Sequence, residues 1–134
     1  MINQKPNIKN QEHKPKTKNN FGERCYSYSI DIIKFANTLP EKQACKIISS
    51  QLLCSATSIG ANFIEAKAAS FKRDYVKYFE TSLKSANETK YWLGLLRDVL
   101  DINETEINKL LGETIEISNT LAASLLTMKN KKQL

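Results

Sequence analysis

The chain has 134 residues, 41% hydrophobic and 25% charged, with a net charge of +6. That is room for one domain of ordinary globular composition and too little for two. Three cysteines without a Cys-x-x-Cys spacing, together with a single histidine, exclude a disulfide framework and a zinc site of the usual pattern.

The positive charge sits at the ends. Residues 1–20 carry Lys5, Lys9, Lys14, Lys16 and Lys18 against Glu12, and residues 129–134 carry Lys129, Lys131 and Lys132, while residues 21–128 hold slightly more acid than base. The first segment is rich in Asn, Lys, Gln and Pro, which predicts a disordered basic tail. It lacks the apolar stretch of a signal peptide, and Cys25, Cys45 and Cys54 suit a reducing compartment, so a cytoplasmic protein is expected.

A first helix is predicted over residues 22–38, with Tyr26, Ile30, Ile33 and Ala36 at three-to-four spacing and Pro40 beyond its end. The second runs over 41–68 on a stripe of Ile48, Leu52, Ser55/Ala56, Ile59 and Phe63, roughly 40 Å long. Ser70 is a candidate N-cap for a third helix over 71–100. Asn103 and Glu106 make a capping-box-like start for a fourth, whose stripe is Ile107, Leu110, Leu111, Ile117/Ser118, Leu121, Leu125 and Met128. Four helices on short links predict an all-α, antiparallel up-and-down four-helix bundle over residues 21–128, with a basic C-terminal tail at 129–134.

Two helices carry more uncharged surface than one bundle core needs. In the third, Tyr91, Trp92, Leu93, Leu95, Leu96, Val99 and Leu100 fill an arc of roughly 200°. The second has eighteen uncharged residues from Ile47 to Ile64, yet its Ser, Thr, Gln and Asn content makes it too polar to span a membrane. Self-association through these helices is therefore expected, with Tyr91, Trp92, Leu95 and Val99 as the interface. Coverage of the extra arc by the N-terminal segment or a loop is the simpler alternative.

Catalytic chemistry finds little support. His13 lies in the tail, so no helix offers a Glu-x-x-His metal pair or a His-activated nucleophile. Gly60 and Gly94 stand alone, without a Gly-rich phosphate loop. No enzyme, metal or cofactor is expected. Glu65 and Glu88 could form a carboxylate pair; the stronger reading makes them partly buried structural acids, satisfied by Gln51, by Asn62 or by a neighbouring subunit. Gly60 costs a helix about 1 kcal/mol relative to Ala, which close helix packing would explain. Basic residues do cluster over Lys67, Lys72, Arg73, Lys77, Lys84, Lys90 and Arg97, a candidate nucleic-acid-binding surface whose plainer reading is a solvated face with a Glu80–Lys84 pair.

Three segments carry a family resemblance: QLLCSATSIGANFIEA from Gln51, DYVKYF from Asp74 and ETKYWLGLL from Glu88. Together they resemble the 23S rRNA intervening-sequence proteins, over about residues 22–128. The resemblance implies a bacterial four-helix bundle that assembles as a homopentamer and has no established enzymatic activity. It also implies kinship with the accessory protein of diversity-generating retroelements, a pentamer that binds reverse transcriptase and nucleic acid. Cys54 departs from the family pattern, which often has a basic residue after Gln-Leu-Leu. Two functions are thus in view: an oligomer binding structured RNA such as rRNA, and a protein-interaction scaffold, for example an accessory subunit of a reverse transcriptase.

Overall fold

A computed structural model of the chain describes residues 20–101 and 104–133. The expected tail up to residue 19, His13 within it, and the expected capping residue Asn103 lie outside the described residues. Four helices follow in order: α1 (Phe21–Ala36), α2 (Gln43–Ala68), α3 (Lys72–Val99) and α4 (Glu104–Gln133). The fold is an all-α four-helix bundle. Consecutive helices run antiparallel, as the pairing of Ser55 with Thr89 and of Ile59 with Ser82 shows for α2 and α3. The α2–α3 packing is the most extensive, followed by α3–α4.

The buried stripe of α2 is Leu52, Ser55, Ala56, Ile59 and Ala66, and that of α4 includes Ile107, Leu110, Ile117, Leu121 and Leu125. On α1 the inward stripe is Cys25, Tyr28, Ile32 and Phe35, one or two positions before the expected one; Tyr26 and Ile33 are exposed. Both stripes have helical spacing. Tyr28 has a buried partner, Thr114 on α4, whereas a large aromatic at position 26 does not fit the same face. Hydroxyls also link the other helices: Ser55 Oγ lies 2.8 Å from Thr89 Oγ1, and Ser82 donates to the Ile59 carbonyl at 2.8 Å. Each of these buried hydroxyls is thereby satisfied, so this polar layer holds helix register without an unpaired cost.

Helix ends depart from the expected signals at two places. Asn20 caps α1, its side chain accepting from the Glu23 N–H at 3.2 Å. At α3 the N-cap is Phe71 in extended conformation, not Ser70, and no side chain caps the helix. The expected C-terminal tail is instead a continuation of α4 to Gln133. By length and composition α2 is apolar enough to cross a membrane, contrary to the expectation from its polar residues, although its Leu52 and Ile59 are fully buried in the bundle.

At Gly60 α1 and α2 approach closely, since a Cβ placed there would lie 3.1 Å from Cys25 Cβ. Gly112 on α4 faces open space. Gly60→Val should therefore lower stability by about 1–3 kcal/mol through overpacking. Gly112→Ala should raise it by up to about 1 kcal/mol through helix propensity alone. Urea unfolding of both variants checks the pair; equal shifts would remove close packing as the reason for Gly60.

Candidate nucleic-acid interface and association surface

On α3 the residues facing the core are Phe79, Ser82, Ser85, Ala86, Thr89, Leu93 and Leu96. The opposite meridian starts basic and ends apolar. Arg73, Lys77 and Lys84 occupy its first half and are exposed, while Tyr91 and Val99 occupy its second half at 61% and 70% exposure, with Leu95 half-buried between them. The wide apolar arc is thus split by the bundle. Leu93 and Leu96 go inward, Tyr91 and Val99 remain outside, and Leu95 is only partly covered.

Glu88 shares the outward meridian and is exposed, which corrects the expectation of a partly buried acid. The arc that seemed to enclose it is the half the bundle leaves outside. Gln51 and Glu65 are likewise exposed, because the α2 core stripe runs along the other side of that helix. Asn62 is half-buried and donates to the Ser58 carbonyl at 2.8 Å, a bond within its own helix and not one to Glu65. No carboxylate pair forms from these residues. Trp92 is half-buried, edge-on to Tyr91 at 5.0 Å, and its indole N–H is buried without an acceptor among the described residues.

The seven basic candidates divide by position. Lys90 is drawn against α4, donating to Ser118 Oγ at 3.3 Å, and Arg97 pairs with its neighbour Asp98 at 2.8 Å at the far end of α3. The other five, Lys67, Lys72, Arg73, Lys77 and Lys84, are exposed, and the first four gather where α2 ends and α3 begins. Lys67 Nζ lies over the rings of Phe63 and Tyr75, at 5.5 and 5.9 Å, so an aromatic floor holds it in place. Helix α4 brings two further cations to this end, Lys129 and Lys131, which sequence reasoning had assigned to a tail. Glu80 pairs with Lys129 across helices at 3.2 Å and not with Lys84, leaving Lys84 without a salt bridge among the described residues.

Two clefts open beside these cations. One, of about 650 Å³, is lined by Arg73, Lys77 and Lys129 together with Asp74 and Glu80. The other, of about 380 Å³, has Phe71, Lys72, Tyr75, Met128 and Lys131 on its walls and no acid. Among the described residues no three His, Cys, Asp or Glu side chains gather as a metal site. At the start of α1, Arg24 forks onto Glu113 at 2.8 Å and Glu116 at 2.7 Å. The Glu113 bond foremost keeps its guanidinium protonated and ties α1 to α4.

Helix order, core and surface define a bundle protein of the all-α, up-and-down class, basic at one end and apolar along one outer face. Residues 17–123 match the 23S rRNA-intervening sequence protein family, and the chain belongs to it. A similar solved structure is that of a protein of unknown function from the S23 ribosomal protein family of Bacteroides thetaiotaomicron. It is 30% identical, with a TM-score of 0.73 over 78% of this chain and 97% of that one. No curated protein matches the chain.

Proposed function

We propose that the protein is a non-catalytic, cytoplasmic, self-associating bundle that binds structured RNA, rRNA included, through the basic end of α3. The observation that carries this reading is the convergence of six cations from three helices, Lys67, Lys72, Arg73, Lys77, Lys129 and Lys131, on one end of the bundle. Side chains so placed neutralise phosphates from a rigid scaffold, and association into a ring, a pentamer in the family's manner, repeats the patch so that weak contacts add. The family's description as 23S rRNA-intervening sequence proteins agrees with such a ligand. Neither a cofactor nor a membrane enters the reading.

Binding of a fluorescent 23S rRNA fragment should weaken on the order of a hundredfold between about 50 and 200 mM salt, as expected for several phosphate contacts. Arg73→Glu with Lys77→Glu should cost at least about tenfold at fixed salt. No binding at about 50 mM would overturn the reading. The exposed Tyr91 and Val99, with half-buried Leu95 between them, favour a second reading, a scaffold docking another protein. It gains ground if the chain stays monomeric while that face remains open.

A further inference from the structure

The acid-free cleft between the start of α3 and the end of α4 combines features a solvated lysine patch does not need. Phe71 stands at its mouth, 69% exposed. Its ring has no aromatic partner among the described residues, whereas the neighbouring Tyr75 is stacked on Phe79 at 5.1 Å and has Lys67 over it. Met128 gives the cleft an apolar, polarizable wall. Lys72 follows Phe71 directly, Lys131 reaches the same space from α4, and neither makes a salt bridge among the described residues. An open aromatic face beside two unpaired cations, in a volume of about 380 Å³, matches one kind of ligand. That ligand carries a flat π-surface and an anion a few bonds apart.

Resting on the RNA-binding reading above, we propose that this cleft holds an unpaired nucleotide of an RNA loop, its base stacked on Phe71 and its phosphates paired with Lys72 and Lys131. Stacking on one ring discriminates little between bases, so the preference is for unpaired over paired RNA and not for a sequence. Arg73, Lys77 and Lys129 in the adjoining cleft serve the flanking backbone, in a paired or an unpaired strand alike.

The test uses the full chain and two labelled RNAs at one salt concentration: a hairpin with a loop of about eight nucleotides and a blunt duplex of the same stem. The hairpin should bind more tightly. Phe71→Ala should weaken hairpin binding roughly tenfold and leave the duplex unchanged, while Phe71→Trp should retain hairpin affinity. The added indole should be quenched by the hairpin and not by the duplex. Lys77→Gln should weaken both RNAs equally. If Phe71→Ala leaves hairpin binding intact, or weakens hairpin and duplex alike, stacking on Phe71 is overturned while RNA binding stands. If Phe71→Ala instead lowers the mass of the assembly, the ring serves a second copy of the chain and the proposal is likewise overturned. Failure of the unaltered protein to bind either RNA would end both readings.

Discussion

If the proposed self-association holds, the unaltered chain should elute in gel filtration with light scattering at a multiple of 15.2 kDa, and Val99→Glu should reduce it to a single-chain species of that mass. Val99 is 70% exposed near the end of α3, so within one chain the new carboxylate remains in water and the bundle keeps its core. In an assembly the same carboxylate is desolvated without a partner, which costs several kcal/mol. Burial of the exposed Val99 in the proposed interface would contribute up to about 1.5–3 kcal/mol. Reversing one such contribution into a penalty should raise the dissociation constant at least about a hundredfold. Circular dichroism and the melting profile of the dissociated variant should remain those of a folded helical protein. A Val99→Glu protein of unchanged mass would move the interface elsewhere, with the uncharged outer face of α2, bearing Ile47, Cys54 and Ile64, as the next surface to charge. An unaltered protein of 15.2 kDa at micromolar concentration would sink self-association altogether.

The helices themselves were legible because long periodic stripes separated by few breakers admit little else. Leu52, Ile59, Ile107, Leu121 and Leu125 fall inward as their spacing requires. Periodicity alone does not say which meridian of a broad arc meets the core. Neighbouring helices decide that, which is why Tyr26 gave way to Tyr28 on α1 and why Glu88 fell on the solvent side of α3. The basic end was half legible. Lys67 to Lys77 are close in sequence, but Lys129 and Lys131 join them only because α4 is as long as α3 and returns antiparallel to it. A lysine-rich terminus reads as a tail when its helix has no visible stop signal. Phe71 reads from sequence as an ordinary first residue of a helix; an aromatic followed by Lys72 and Arg73 just after a break is the available signal.

Raising the pH from about 8 to about 11 should cost the folded state at least about 3 kcal/mol. Cys25 on α1 is almost fully buried, facing Gly60 of α2, and burial pushes its thiol from 9.0 up to about 12, with the nearby Arg24 guanidinium only partly opposing the shift. Burial also raises the Tyr28 hydroxyl, against the opposing effect of its hydrogen bond to Thr114. The native state thus retains protons that the unfolded chain releases. Stability from these groups is fully present below about pH 9 and is lost as pH climbs through the folded values, at about 1.4 kcal/mol per unit for each group once its unfolded counterpart ionises. Against a total of about 5–15 kcal/mol for a domain of ordinary stability, two such groups on one helix matter. Cys25→Ala keeps the Cβ that faces Gly60 and removes the proton, and Tyr28→Phe leaves Thr114 still bonded to the Leu110 carbonyl at 2.7 Å. The double variant should begin less stable at pH 8 and lose less on going to pH 11. The difference between the two slopes isolates these groups from the lysines that titrate in the same range. Parallel slopes in urea unfolding at matched protein concentration would mean that neither proton is held by the fold.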